Sequence, residues 1–368
     1  MKREVVTCVK CLMDSTDPDI HFNSGGICNY CLEAEETLPK YRYTDEQIGA
    51  NIGRLLQHIK ANRKGKYDCL IGISGGVDSS YVAHLAYKWK LTPLVVHFDN
   101  GWNSELAVSN INKILDKTGF DLQTYVIDWE EFKDLQRSFI KASVVDIEML
   151  TDHAIVASMY RLAKENNIKC ILSGTNYATE HGLPSAWVWQ KVDLKNIQHI
   201  HKLFGRQPLK TFPTIGIYKS FLYKILHKLD FLEPLNIINY KKLEAMEVLE
   251  KEYGWRYYGG KHYESWFTKF YQAYILPQKF NIDKRKSHLS ALIRNEEITL
   301  EQAREELAKP LYTVEDLTQE KEFILKKLEF TPEEFEEIMQ AAPKRHDEYE
   351  TSIHLRKKLS SLKEKFNF

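Results

Sequence analysis

The stretch Asp68-Cys69-Leu70-Ile71-Gly72-Ile73-Ser74-Gly75-Gly76-Val77-Asp78-Ser79-Ser80 constrains the fold of this chain more than any other. Cys69 to Ile73 is a short apolar run of strand type, and Val82, Leu85, Ala86 and Trp89 then recur at helical spacing. The Ser-Gly-Gly turn between them lets backbone approach a ligand with no Cβ in the way. A strand that ends in such a turn and opens a helix aims free N–H groups and the positive helix end at one point. That arrangement is a phosphate site. The stretch has neither the Walker spacing nor the Gly-x-Gly-x-x-Gly of dinucleotide folds. A glycine-rich turn with no ligand is the plain alternative, and the flanking serines and aspartate argue against it.

With 368 residues the chain can hold two or three domains and bury a proper core. Basic and acidic residues balance at 51 each, so no global field attracts nucleic acid. Met1-Lys2-Arg3-Glu4-Val5 lacks the apolar stretch of a signal peptide, and no segment is long enough to span a bilayer. A cytoplasmic location is expected, where six cysteines are not read as three disulfides. Four of them form two Cys-x-x-Cys knuckles, Cys8/Cys11 and Cys28/Cys31. Each knuckle presents two thiolates from one tight turn, and four together complete a tetrahedral zinc site with no open position, hence a structural one. The turn-rich interval between them has no core of its own, so metal would supply its folding free energy. A redox or Fe–S centre is the competing reading of this spacing.

Further along, 43–62 carries a helical stripe, with Thr44 and Gln47 as a capping box. Residues 92–98, 122–127 and 168–172 read as strands, and 104–118, 129–140 and 149–166 as helices. Alternation of this kind implies a parallel sheet covered on both faces. Its ligand is expected at the carboxyl ends of the strands, in loops 74–79, 99–102 and 173–176. The expected organisation is a zinc ribbon over 1–40, an α/β domain carrying the phosphate turn over 41–210, and a mainly helical region over 211–368. Residues 217–231 fit a basic amphipathic helix, which packs on the core or a partner, or sits on a membrane surface. The aromatic run over 254–277 is read as core or interface, with nucleic-acid stacking as the minor alternative. Within it Gly259-Gly260-Lys261-His262 can deliver a lysine into a site, and Asp283-Lys284-Arg285-Lys286 clusters cations. Such cations suit a leaving pyrophosphate, although a solvated charged face has the same composition.

Ser74-Gly75-Gly76-Val77-Asp78-Ser79 resembles, at every position, the pyrophosphate loop of the ATP pyrophosphatases. The series formed by the knuckles, this loop, His97-Phe98-Asp99-Asn100-Gly101-Trp102 and Ser173-Gly174-Thr175-Asn176 continues with Gly259-Gly260-Lys261-His262-Tyr263-Glu264-Ser265 and Asp283-Lys284-Arg285. As a whole it resembles the N-acetyl sugar amidotransferases of bacterial O-antigen and nonulosonic-acid pathways, over nearly the whole chain. The resemblance implies a HUP-like parallel-sheet domain. It also implies a reaction in which ATP adenylates the N-acetyl carbonyl of an activated sugar or related sugar acid. Ammonia then displaces AMP to leave an acetamidino group. Ser74, Gly75, Gly76, Val77, Asp78, Ser79 and Ser80 are expected at the phosphates with Mg²⁺, and Phe98, Asp99, Gly174 and Thr175 at the nucleotide. Lys261, Lys284, Arg285 and Asp78 are the expected catalytic residues. The two remaining cysteines, Cys69 and Cys170, lie in apolar strands where thiols are inert. A separate glutaminase subunit, with a cyclase-like companion, is therefore the implied ammonia source. No nucleic-acid partner is expected, and self-association into a homo-oligomer is left open. A tRNA-thiolating enzyme and a non-catalytic nucleotide-binding zinc-ribbon adaptor are the alternatives.

Overall fold

Five parallel strands carry the fold: β1 (Cys69–Ile73), β2 (Pro93–Asp99), β3 (Asp121–Val126), β4 (Cys170–Leu172) and β5 (Asp230–Leu232). In the computed structural model, residues 4–260 and 263–354 are described. The sheet order is β3-β2-β1-β4-β5, with Ile71 opposite Val95 on one side and Leu172 on the other. The chain leaves β1 toward β2 and β3, then returns across β1 to build β4 and β5. The order reverses between β1 and β4, which opens a crevice at their carboxyl ends.

Side-chain alternation along β1 sorts the two faces. Cys69, Ile71 and Ile73 enter a cluster with Val82 and Leu85 of α3 (Val77–Lys88), Ile111 and Ile114 of α4 (Glu105–Thr118), and Ile59 of α2 (Asp45–Asn62). Leu70 points the other way, with Leu94 and Val96, onto Met159, Tyr160 and Leu162 of α6 (Met149–Glu165). A strand buried on both faces needs this near-continuous apolar run. The helix before the sheet starts as its sequence expects: Thr44 accepts from Gln47 N–H at 3.3 Å, and the Gln47 side chain accepts from Thr44 N–H at 2.9 Å.

A third cluster joins distant parts of the chain. It holds Cys8, Cys11, Cys28 and Cys31, Phe132, Leu135 and Phe139 of α5 (Trp129–Ala142), Phe267 and Phe270, and Leu325, Leu328 and Phe335. The cysteine module, with α1 (Asn29–Thr37), therefore shares a core with the C-terminal helices. The sheet also crosses the boundary expected at residue 210, because β5 comes from 230–232.

The middle of the chain departs from the expected elements. Short α7 (Tyr177–Glu180) and amphipathic α8 (Leu194–Phe204) precede α9 (Ile217–Leu226). The helix expected over 217–231 ends at Leu226, and Lys228 takes a left-handed φ of 48°. Leu229 then turns into the core and Phe231 pairs in β5. The apolar stripe of α9 does not pack on the core: Tyr218, Phe221, Leu222, Ile225 and Leu226 are all exposed. Downstream lie α10 (Lys242–Tyr253) and a continuous helical rod of α11 (Trp266–Phe270), a π-turn (Tyr271–Ile275) and α12 (Leu276–Phe280). The helices α13 (Arg285–Arg294), α14 (Leu300–Ala308), α15 (Val314–Leu328) and α16 (Pro332–Gln340) complete the described C-terminal part.

Candidate active site

The turn after β1 is built as its glycines require. Gly75 has φ +82°, and a Cβ there would lie 2.5 Å from the Ala107 carbonyl oxygen. Gly76 caps α3, whose first turn lines the cavity described below. Ser74 and Ser79 brace the turn: their hydroxyls lie 3.2 Å apart, and Ser74 N–H donates to Ser79 Oγ at 3.2 Å. The turn after β4 comes equally close, since a Cβ on Gly174 would sit 3.1 Å from Ser79 N. Asp78 is held by the Tyr240 hydroxyl, which donates to its carboxylate.

The segment that brackets Lys261 lies over this turn. Trp255 Nε1–H donates to the Gly75 carbonyl at 3.0 Å, and Val77 N–H donates to the Tyr258 hydroxyl at 3.4 Å. Ser74 Oγ reaches Glu264 Oε1 at 3.4 Å. Ser104 N–H donates to the Glu264 carbonyl, and Trp266 N–H to that of Trp102, both at 2.9 Å. These bonds stitch the segment to the loop after β2. Lys261 and His262 themselves lie outside the described residues.

A cavity of about 880 Å³ opens on the turn, at the upper end of the size of small-molecule sites. Ser74, Gly76, Val77, Asp78, Ser79, Phe98, Gly174 and Thr175 line one end. Phe98 is stacked on Tyr125 with ring centroids 5.5 Å apart. Three expected site residues are elsewhere. Ser80 is fully buried on the core side of α3, off the cavity wall. Asp99 turns back to accept from Gly101 N–H at 2.8 Å, and Asn100 and Asn103 line the cavity in its place. Arg285 is clamped by Asp283, with Nη2–Oδ2 at 2.8 Å, and donates to the Lys309 carbonyl.

The opposite end of the cavity is charged, and sequence reasoning missed most of it. Asp146, Glu148, Asp152, Lys191, Thr268 and Lys284 line it. Lys191 bridges Asp146 at 2.8 Å and Asp152 at 2.9 Å. Thr268 Oγ1 donates to Glu148 Oε2 at 2.8 Å, whereas Glu148 Oε1 and Asp146 Oδ1 are buried with no hydrogen-bond partner among the described residues. Burial pushes the Glu148 carboxyl up to about 7, with the Thr268 bond opposing and the Asp152 charge adding to the rise. Lys284 makes no hydrogen bond or ion pair among the described residues, and its ammonium sits 5.6 Å from the Tyr271 ring centre. Burial lowers its affinity for a proton. The signal in the sequence was Val144-Val145-Asp146-Ile147-Glu148-Met149-Leu150, where two carboxylates interrupt an apolar run. The π-turn adds to this end: the side chains of Thr268 and Gln272 both reach the cavity from one rod.

Away from the cavity, the four knuckle thiols converge. Their sulfur atoms all lie within 4.8 Å of one another, with Cys8–Cys31 at 3.9 Å and Cys11–Cys28 at 3.7 Å. Zn–S bonds of about 2.3 Å in a tetrahedron require sulfur separations of roughly 3.8 Å, so the donor set and its geometry fit zinc. Arg294 Nη2 lies 3.6 Å from Cys11 Sγ, the cationic neighbour that four thiolates call for.

Two family models match the chain. The first, described as asparagine synthase, covers residues 57–175 and hence the phosphate turn and β1 to β4. The second, described as the C-terminal domain of WbpG-like LPS biosynthesis proteins, covers residues 264–362 and hence Thr268 and Lys284 of the charged end. Both matches support the resemblance to the N-acetyl sugar amidotransferases within the ATP pyrophosphatases. The same two matches support an ATP-using enzyme of the amidotransferase type. No curated protein matches it. Three solved structures are similar to it in part. A predicted subunit of tRNA methyltransferase from Methanocaldococcus jannaschii is 13% identical, with TM-score 0.30, over 50% of this chain and 75% of that one. An NMN synthetase from Francisella tularensis is 14% identical, with TM-score 0.31, over 59% and 89%. An NH3-dependent NAD synthetase from Campylobacter jejuni is 16% identical, with TM-score 0.29, over 56% and 83%. No described helix of the chain is long and apolar enough to cross a membrane.

Proposed function

We propose that the chain adenylates the acetamido oxygen of a nucleotide-activated N-acetyl sugar or related sugar acid, and that ammonia then displaces AMP to give an acetamidino group. One observation carries this reading: a single cavity joins the phosphate turn to a charged end to which the WbpG-like match contributes Thr268 and Lys284. An amide oxygen is a poor leaving group, and transfer of AMP to it makes it a good one. The N–H groups of Gly76 and Val77 and the hydroxyls of Ser74 and Ser79 bind the phosphates at the positive end of α3. Asp78, Glu180 and Glu264, carboxylates on the cavity wall beside the turn, offer the oxygen donors that Mg²⁺ prefers, and the ion would neutralise phosphate charge. Lys261, flanked by Tyr258 and Glu264 on the turn, supplies a point charge to the leaving pyrophosphate. Lys284 serves charge that develops toward the acceptor end, and Glu148 takes the proton that the attacking nitrogen sheds.

Ammonia comes from elsewhere in this reading. Burial pushes the Cys69 thiol well up and that of Cys170 to about 11, so neither is a glutaminase nucleophile. A separate glutaminase subunit with a cyclase-like companion is the source we infer, in the cytoplasm. The same two buried thiols disfavour the tRNA-thiolating alternative, which needs a reactive sulfur.

The test is a panel of nucleotide-activated N-acetyl sugars and sugar acids incubated with MgATP and ammonium and followed by mass spectrometry. A product in which one oxygen is replaced by NH, formed with one AMP each, is expected. ATP cleavage without that exchange across the whole panel contradicts the reading.

A further inference from the structure

Helix α13 is engaged on two sides. Lys286, Ser290 and Arg294 recur every four residues along one of them, and all three meet the cysteine module. Lys286 pairs with Asp14, and Leu12 N–H donates to the buried Ser290 hydroxyl at 3.0 Å. Arg294 reaches Cys11 Sγ at 3.6 Å and lies 6.0 Å from the ring centre of Tyr30, between the second pair of cysteines. Gly182 makes room for that guanidinium: its φ is +75°, and a Cβ there would lie 2.3 Å from Arg294 Nη1. Lys284, at the start of the helix, and His288 on its other side line the cavity. None of the module's residues 8–31 does so. At 3.6 residues per turn these are two faces of one rigid rod.

We propose that the cysteine module is a positioning device for the acceptor end of the active site. Through Lys286, Ser290 and Arg294 it sets the rotation and axial placement of α13, and so the placement of Lys284 and His288. Four thiolates around one Zn²⁺ carry a net charge of about −2, and Arg294 is the buried cation that answers it. Metal occupancy is therefore felt at the C-terminal end of α13. The phosphate turn stands on β1 and α3, outside this linkage, and keeps its geometry when the module is disturbed.

The experiment uses the full zinc-loaded chain and two variants, Arg294→Gln and the milder Ser290→Ala. Zinc content, hydrogen exchange of residues 284–294, MgATP affinity and turnover at saturating ammonium are measured on each. Both variants are expected to keep one zinc and bind MgATP as the parent does. Exchange in α13 is expected to quicken by about tenfold. Turnover should fall by up to about a hundredfold, the scale of a displacement near 1 Å at a reacting centre. Arg294→Lys should recover part of both effects. Unchanged exchange in α13, or MgATP affinity that falls along with turnover, overturns the proposal. Where Arg294→Gln does not fold, Ser290→Ala decides. The turnover arm rests on the acetamidino reading, whereas exchange and MgATP binding do not, so failure of one is told apart from failure of the other.

Discussion

Glu148 is the carboxylate whose surroundings set it apart. Asp146, Asp152, Lys284, Tyr271 and Thr268 surround it, with His346 behind Asp146, whose N–H donates to the imidazole. A base with a pKa near 7 is half ionised at the working pH, where general base catalysis is most effective. Turnover at saturating free ammonia is expected to rise with pH through about 7. Glu148→Gln should flatten that limb and lower the plateau by on the order of a hundredfold. Thr268→Val removes a bond that favours the ionised form and should move the limb to higher pH. An unmoved limb in both variants counts against the role. The same shift has a stability consequence with a definite sign. The folded state holds this proton more tightly than the unfolded chain, whose ordinary value is 4.5. Its contribution is therefore full below that value and lost as pH rises to about 7, so Glu148→Gln should gain on the parent over that window in urea titrations. Lys284 presents the complementary case. An ammonium buried without a partner is a cost to the fold, and Lys284→Met should leave the thermal midpoint level or raise it while turnover falls on the order of a hundredfold. A lowered midpoint would show that Lys284 holds the structure together.

Among elements, the strand, turn and helix around Gly75 are the least tolerant of change. Gly75→Ala asks an L-residue for a left-handed φ and drives a methyl against the Ala107 carbonyl. The conformation alone costs about 1–2 kcal/mol, so the variant should lose MgATP binding and part of its stability. Binding that matches the parent would show that the turn does not hold the phosphates. This unit was legible because strand, turn and helix are contiguous and each obeys a local rule. The capping box at Thr44 and the cysteine knuckles were legible for the same reason. Two elements were not. Strand β5 has three residues and is defined by pairing with β4, a tertiary fact that the helical stripe before it obscures. The π-turn at Tyr271–Ile275 hides inside a pattern that fits a plain helix. At the site, the phosphate end could be read from one motif. The charged end is assembled from residues 146–152, 191, 268 and 284, which no sequence spacing connects. Ser80 was placed at the phosphates because it adjoins the motif, but helical periodicity turns it into the core.

For the molecule as a whole, the arrangement separates two tasks that meet in one cavity. The parallel sheet holds the phosphate turn, while residues 146–152 with Lys191, Thr268 and Lys284 present the charged wall opposite. The two thiols outside the cysteine module are both sealed in the sheet, and in the proposed reading nitrogen delivery falls to a partner. Free ammonium should therefore support turnover and glutamine alone should not, a contrast that activity with each nitrogen source checks directly. The central claim is that AMP is transferred to the oxygen of the acetamido group. The direct measurement follows a heavy oxygen isotope placed in that carbonyl during a reaction with MgATP and ammonium. The account predicts that the label leaves on the phosphate of AMP, one atom for each amidine formed. Label released into water, or ATP cleaved to ADP and phosphate, would contradict it.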